Sequence, residues 1–350
     1  MKQNTIKFIG CGGAGIMLTG SIGKMITDLG SGFAKIERRY VDTSESNIKL
    51  IADADMANEF HHVVNSGHSG AVINGSGGER RTNAKEIISS VKEFLDKDGI
   101  GEKVTGVYHV VLFSASGGSG SVIGPMIIKN LLERRIPVIG VLVGDSSNGL
   151  SAINTLNTIA TLNNVAMSSA SALSIMYINN KNFNTGSVLT ARKDADMAIF
   201  NSLSALSLFL NGMNTDLDSQ DLLGIIDQTA YSSIQIKPGL YALSTFSKDV
   251  TLPQGVIPTV GRTLTIDGVS ADIDVNLLHH KVGSVIDENA AAIYKEQFPL
   301  HLVTAANFFV IEEQNLKTLT DEYQDIMDNI QVKNITGTST SEADDSGLVL

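Results

Sequence analysis

Short apolar runs alternate with segments of helix length through the first half of the chain. This pattern is typical of a parallel β-sheet whose strands are connected by helices. The expected strands cover residues 6–9, 34–41, 108–113, 136–143 and 172–178. The expected helices cover residues 17–29, 84–95, 122–134 and 150–165. The pattern therefore predicts an α/β fold with a parallel sheet.

The second half of the chain has a different pattern. Residues 191–210 contain neither Gly nor Pro and are apolar on more than one side, which predicts a long buried helix. After it we expect a polar loop at 211–220, a short helix to about residue 229, and strands near 240–246, 262–266 and 300–311. Residues 312–330 carry apolar side chains at helical spacing, so we expect a surface helix of a second, smaller α/β domain.

Composition excludes several classes of protein. With 350 residues, 43% of them hydrophobic and 18% charged, the chain is expected to fold rather than to be disordered. Its net charge of -11 argues against a basic surface that binds nucleic acid or anionic lipid directly. The single cysteine, Cys11, excludes an intramolecular disulfide and favours a reducing, cytoplasmic location.

Membrane insertion and export are also disfavoured. Residues 146–180 contain no charged side chain, but their many Asn, Ser and Thr residues are costly in a bilayer. The first residues lead directly into a strand and lack a long apolar signal region.

A glycine loop, Gly10 to Gly15, directly follows the first expected strand and precedes a helix. Backbone N–H groups can approach an anion closely at such a position, and the helix dipole favours negative charge there. The spacing also satisfies GxGxxG, and Asp42 follows the second strand, as in dinucleotide-binding folds. A dehydrogenase is therefore one open interpretation.

A second glycine-rich loop, residues 114–121, follows another strand and precedes another apolar helix. Two anion-binding loops on one sheet exceed the needs of a dinucleotide fold and suggest a triphosphate ligand. Residues 74–81 add a third flexible segment, whose Arg80 and Arg81 could close over the terminal phosphate. The chain contains no GxxxxGK[ST] sequence, which disfavours the P-loop NTPases.

In order and spacing, these loops resemble those of the tubulin/FtsZ superfamily of filament-forming GTPases. The second loop is similar to the signature GGGTGSG, with Ser116 for the first glycine and Ser119 for the threonine. The variant GGSGSV followed by Gly124-Pro125 looks most like the phage-encoded tubulins. The resemblance covers roughly residues 5–230 by motif and implies a GTP-binding domain at 1–190, a central helix and loop at 191–215, an activation domain at 216–330 and an acidic flexible tail at 331–350.

The resemblance implies that GTP or GDP, with Mg²⁺, binds over the glycine loops, with no metal ligand assigned among the protein's side chains. The implied nucleotide-binding residues are Gly12, Gly13, Ala14, Gly15, Met17, Asp42, Thr43, Gly75, Ser76, Gly77, Ser116, Gly117, Gly118, Ser119, Gly120, Ser121, Asp145 and Asp196. Two positions depart from the family pattern. Met17 stands where the family has Asn, and Asp42 stands where cell-division members often have Asn.

Carboxylates supply the remaining expectations. An acid near the start of the central helix, Asp196 or alternatively Asp194, can accept the two donors on the guanine edge. The loop after that helix contains Asp218 and Asp221, which the resemblance assigns as catalytic acids delivered to the nucleotide of the next subunit. The alternative interpretation is that both acids only cap the following helix.

The sequence thus predicts a GTPase that assembles head to tail and hydrolyses GTP at subunit contacts. The resemblance further implies that it positions phage DNA in the cytoplasm of an infected bacterium through a possible cargo adaptor, without touching nucleic acid or membrane. The tail, with Asp344, Asp345 and an apolar tip, is expected to contact a neighbouring subunit. Two alternatives stay open: a plasmid-partitioning tubulin and an NAD-dependent oxidoreductase.

Overall fold

The computed structural model describes residues 3–50, 59–63, 75–76, 80, 84–183, 188–230, 235–266 and 273–329. The strands are β1 (Thr5–Cys11), β2 (Lys35–Asp42), β3 (Phe60–His62), β4 (Val107–Ser114), β5 (Val138–Gly144), β6 (Ala172–Asn179), β7 (Gly239–Ser247), β8 (Ile257–Thr265), β9 (His279–Ser284) and β10 (Leu300–Ala306). The helices are α1 (Gly12–Asp28), α2 (Ala84–Asp96), α3 (Gly120–Glu133), α4 (Gly149–Ser168), α5 (Val188–Leu210), α6 (Ser219–Ile226), α7 (Glu288–Ile293) and α8 (Phe308–Asn329).

The described strands form one sheet in the order β3-β2-β1-β4-β5-β6-β7-β10-β8-β9. Strands β1 to β7 run parallel, and β10 is antiparallel to both of its neighbours. The carboxyl ends of β1, β2 and β4 therefore lie at one edge, where Cys11 pairs with Val41 and Phe113. In open α/β sheets ligands bind at this edge.

Two apolar clusters bury the faces of the sheet. The first contains α2, α3 and α4 side chains such as Ile87, Ile127 and Ile159. The second contains α1 and the second half of α5, where Leu203, Leu206 and Phe209 are buried. The first half of α5 is more exposed, at residues 192–194 and 196–197. The expectation of a helix buried on several sides therefore holds only for its second half.

The α/β fold with its long central helix is confirmed, and most elements lie within a few residues of their predicted bounds. One predicted strand, 300–311, is wrong in its second half. It ends at Ala306, because Asn307 adopts a φ of 67° and turns the chain into α8. The short strand β3, the polar strand β9 and the short helix α7 were not predicted.

The division into domains stays a prediction. Hydrogen-bonded pairing of β6 with β7 joins the two predicted halves in one sheet. The tail at 331–350 lies outside the described residues. Within the described part of the chain, no helix is both long and apolar enough to cross a membrane.

His109 on β4 makes stability depend on pH. Its imidazole is 1% exposed, and its Nε2 donates to the carbonyl of Ile100 at 2.8 Å. Burial lowers the pKa of His109 from 6.5 to about 4. As the pH drops from about 6.5 towards 4, this histidine takes up a proton in the unfolded chain but not in the folded one. The free energy of unfolding therefore falls over this range.

We expect His109→Gln, which keeps a donor near the Nε2 position but does not titrate, to remove this part of the acid sensitivity. The wild type should lose about 3 kcal/mol more unfolding free energy than the variant over that pH range. Urea unfolding at several pH values measures the difference. Parallel pH curves for the two proteins would show that His109 does not drive the loss.

Candidate functional site

A cleft of about 360 Å³ opens at the carboxyl ends of β1, β2 and β4. Its lining combines four separate segments of the chain and contains few large side chains. The lining residues are Cys11, Gly12, Gly13, Ala14, Asp42, Ser44, Asn47, Gly75, Ser76, Ser114, Gly117, Gly118, Ser119 and Gly120. Backbone N–H groups and hydroxyls therefore dominate the polar surface that a ligand would meet.

The two predicted glycine loops touch each other across this cleft. Gly12 adopts a φ of 67°, and a Cβ on it would lie 2.7 Å from the Cα and N atoms of Gly120. A Cβ on Gly120 would lie 2.7 Å from the carbonyl oxygen of Cys11. These contacts are between backbones, so any larger residue at either position must push the loops apart.

Helices α1 and α3 begin at this contact. Their N-cap residues, Cys11 and Ser119, make no side-chain capping bond, so the first amide groups are not satisfied by caps. Two helix dipoles thus direct their positive ends at one cleft, which favours a ligand with several negative charges. Gly15 lets α1 lie closely on β4, because a Cβ there would collide with the Leu112 carbonyl.

Asp42 is the one carboxylate among the described residues of the lining. It is 1% exposed and accepts 2.7 Å hydrogen bonds from the Thr43 amide and from Asn47 Nδ2. Burial raises the pKa of Asp42, against the lowering effect of these hydrogen bonds.

Thr43 and Gly75 connect Asp42 to the other loops. The hydroxyls of Thr43 and Ser119 lie 2.5 Å apart, and the Gly75 amide donates to the Thr43 carbonyl at 3.0 Å. Three separate chain segments are thereby fixed at one edge of the cleft.

Several predicted nucleotide-binding residues do not line the cleft. Gly15, Thr43 and Ser121 lie behind it; the hydroxyl of Ser121 donates to the carbonyls of Gly117 and Gly118 at 2.6 and 2.8 Å. The Ser116 carbonyl accepts from Asn154, and Asp145 accepts from the Ser147 amide at 2.9 Å. Met17 is 45% exposed on α1, and Asp196 is exposed on α5. Gly77 lies outside the described residues.

Four residues that line the cleft were not among the predicted nucleotide-binding residues: Cys11, Ser44, Asn47 and Ser114. Asn47 lies five residues after Asp42 and donates to its carboxylate. Its spacing in the sequence does not mark it as part of a site, so only the structure reveals this contact.

Asp218 and Asp221 form a capping box at the start of α6. The Asp218 carboxylate accepts from the amides of Gln220 and Asp221, and Asp221 Oδ2 accepts from the Asp218 amide at 3.0 Å. These backbone hydrogen bonds lower the pKa of Asp218. The capping interpretation is therefore correct as a description of the local structure, and it leaves the Asp218 side chain exposed.

Asp221 has further partners. It is 6% exposed, its Oδ2 lies 2.5 Å from Lys281 Nζ, and its Oδ1 lies 3.8 Å from Arg262 Nη2. Arg262, with no exposed surface, also donates from Nε to the Asp221 carbonyl at 3.0 Å. Asp221 therefore holds a buried cluster together, whereas Asp218 faces outward.

The acidic loop lies at the opposite end of the sheet from the cleft. Asn4, just before β1, donates to the Leu210 carbonyl at the end of α5, and Asp227, just after α6, bonds the amide of Ala172 at the start of β6. Strand β1 has seven residues and so separates the two ends by roughly 20 Å. Within one chain, the structure does not bring the acids to the glycine loops.

The cleft, the central helix and the strand order together define a tubulin-like fold. Over nearly its whole length the chain is similar to the phage tubulin PhuZ with GDP, at a TM-score of 0.73 and 18% identity over 99% of both chains. A TubZ protofilament from bacteriophage PhiKZ aligns at 0.69 and 18% over 100% of both chains, and CetZ from Methanosaeta thermophila at 0.65 and 13% over 95% of both chains.

These likenesses confirm the predicted tubulin/FtsZ resemblance, with phage tubulins among the similar structures, at the level of the fold. No protein-family model matches the sequence, and no curated protein matches it.

Proposed function

We propose that the protein binds GTP in this cleft and assembles head to tail into filaments that hydrolyse it. The proposal rests on one observation: the anion-binding cleft and the acidic loop lie at opposite edges of the sheet. Two glycine loops share one anion-binding cleft at the carboxyl edge of the sheet, and the exposed Asp218 lies at the amino edge. Stacking of two copies brings the parts together, and such a heterologous contact does not close, so it continues into a filament.

The glycine loops are proposed to bind the phosphates. The residues at the starts of α1 and α3 line the cleft together with Ser44 and Ser76, and their amides and hydroxyls suit the phosphate chain of GTP. Asp196, or alternatively Asp194, is proposed to accept the guanine donors. The exposed Met17 is expected to lie near the base, where the family has Asn. Gly77 and Asp145 complete the proposed site.

The residues present fit Mg²⁺ that enters with the nucleotide. Mg²⁺ is held through one or two carboxylates plus substrate phosphates, and Asp42 supplies one lining carboxylate. Among the described residues, no group of three His, Cys, Asp or Glu side chains could form a separate metal site. Mg²⁺ would screen the charge of the terminal phosphate.

Asp218 is proposed to orient the attacking water at the neighbour's terminal phosphate. A carboxylate in that role must be exposed and ionised, and the capping bonds that lower the pKa of Asp218 keep it ionised. Asp221 would hold the loop in place and contribute charge beside it. Loss of the terminal phosphate would then weaken the contact.

The cellular role is proposed from the likeness to phage tubulins. The filament would position phage DNA in the cytoplasm of an infected bacterium, through a cargo adaptor and with tail contacts between subunits. A plasmid-partitioning tubulin uses the same chemistry for another cargo. An NAD-dependent oxidoreductase is disfavoured. It needs only the first glycine loop, and it gives no function to the second loop, which contacts Gly12 in the same cleft.

Light scattering with GTP, GDP, NAD and a non-hydrolysable GTP analogue tests the proposal. We expect GTP and the analogue to raise scattering above a critical protein concentration. We expect scattering to decay again with GTP alone, as hydrolysis proceeds. Equal responses to GTP and NAD, or none to either, would contradict it.

A further inference from the structure

The helix that follows the second glycine loop contains Pro125 close to its start. Proline has no amide hydrogen, so it cannot bond to the carbonyl four residues earlier. In α3 that carbonyl belongs to Ser121, the last residue of the loop. A buried carbonyl in this position needs another donor.

Arg80 supplies the donor. Its Nη1 donates to the Ser121 carbonyl at 2.9 Å and to the Thr158 hydroxyl, and its Nη2 donates to the Thr161 hydroxyl at 3.3 Å; both threonines are on α4. The Arg80 side chain is 4% exposed, and burial lowers its pKa to about 9, so it is charged at neutral pH. The expectation that Arg80 closes over the terminal phosphate is therefore wrong, because its guanidinium lies behind the loop. Arg81, which was given the same role, lies outside the described residues.

The same polar side of α4 holds the rest of the loop from behind. Thr158 Oγ1 donates to the Ala115 carbonyl at 2.9 Å, and Asn154 Nδ2 donates to the Ser116 carbonyl at 3.0 Å. In a trans peptide the C=O and N–H groups point in opposite directions. Anchoring the Ser116 carbonyl on the protein side therefore turns the Gly117 amide towards the cleft, whereas the Ser116 amide donates to Ser114 Oγ and the Val122 amide to the Ser119 carbonyl.

We propose that Arg80 is a positioning residue for phosphate binding. It donates to the Ser121 carbonyl, which Pro125 leaves without a helical donor. It holds the end of the loop against α4, whose Thr158 and Asn154 contact the Ala115 and Ser116 carbonyls, and it adds a positive charge behind the loop. This inference rests on the proposed nucleotide binding for its functional consequence but not for its local geometry.

The test combines Arg80→Met with Pro125→Ala. Alanine at 125 restores an amide that can donate to Ser121, so it should partly replace Arg80. We expect Arg80→Met to speed hydrogen exchange of the amides in residues 115–123 at least tenfold and to weaken GTP binding at least tenfold. In the Pro125→Ala background the same substitution should change both quantities several-fold less.

Arg80→Lys, which keeps the charge but lacks the planar fork, should fall between wild type and Arg80→Met. It also serves if the methionine variant does not fold. The matched control is Arg135→Met, which removes a charge from an exposed position at the other end of α3. If Arg80 only stabilised the fold, Arg80→Met would change hydrogen exchange and GTP binding equally in the wild-type and Pro125→Ala backgrounds.

Unchanged exchange in residues 115–123, or equal effects of Arg80→Met in both backgrounds, would overturn the inference. Exchange is measured without nucleotide. If the wild type failed to bind GTP, the proposed function would fall, and the exchange data would still decide whether Arg80 positions the loop.

Discussion

Replacing Asp218 with serine should reduce GTP turnover at least 100-fold while the protein still folds and assembles. Serine is among the best N-cap residues, so the start of α6 keeps its capping bond while the carboxylate is lost. The structure places Asp218 far from the cleft of its own chain, so this loss has to act on a neighbour. Phosphate release above the critical concentration measures it.

The wild type should show the matching dependence on concentration. Turnover per subunit should rise steeply where scattering first appears, because each complete site needs two copies. Asp249→Asn, which neutralises an exposed acid on another loop, serves as the charge control and should leave the curve unchanged. A turnover per subunit that is the same at every protein concentration would show that one chain holds the whole site.

Asp221→Ala would be a poor probe of the same site. Its carboxylate completes the capping box and faces Lys281 and the fully buried Arg262. Removing one partner of a buried ion pair costs about 3–5 kcal/mol, since a buried charge loses its compensation. A drop in turnover would then report damage to the fold. Asp221→Asn keeps an oxygen for the capping box but loses the same charge, so Asp218→Ser is the better probe of the site.

The sequence predicts the glycine loops well because their chemistry is local. A strand, a run of glycines and a helix in direct succession define the start of α1, and the same holds for α3. The prediction of a short helix after this loop, with Asp218 as its possible cap, also rests on neighbouring residues.

Contacts between distant segments explain what sequence reasoning missed. The partner of Asp221 is Lys281, sixty residues later, on a strand that reads His-His-Lys-Val-Gly-Ser and shows no apolar alternation. The burial of Arg80 could not be predicted, because its partners Thr158 and Thr161 are neutral side chains of an uncharged segment about eighty residues later. Burial of a charge against neutral acceptors leaves no pattern in the sequence.

Gly120→Ala should abolish measurable GTP binding, with an affinity loss of at least 100-fold. The added Cβ would lie 2.7 Å from the Cys11 carbonyl, and the nearest atoms that must yield are backbone. Such overpacking costs about 1–3 kcal/mol in stability. Its larger effect is on the ligand, because separating the loops moves the amides of α1 and α3 out of reach of one phosphate chain.

Urea unfolding with and without GTP separates the two effects. Without nucleotide, Gly120→Ala should be less stable than the wild type, and Gly117→Ala should not, because a Cβ on Gly117 would meet only Ser114 at 3.9 Å or more. With GTP at 100 times its dissociation constant, the wild type should gain about 2.7 kcal/mol and Gly120→Ala almost nothing. If Gly120→Ala gained as much as the wild type, the contact between the two loops would be a packing feature, and GTP would have to bind through other groups.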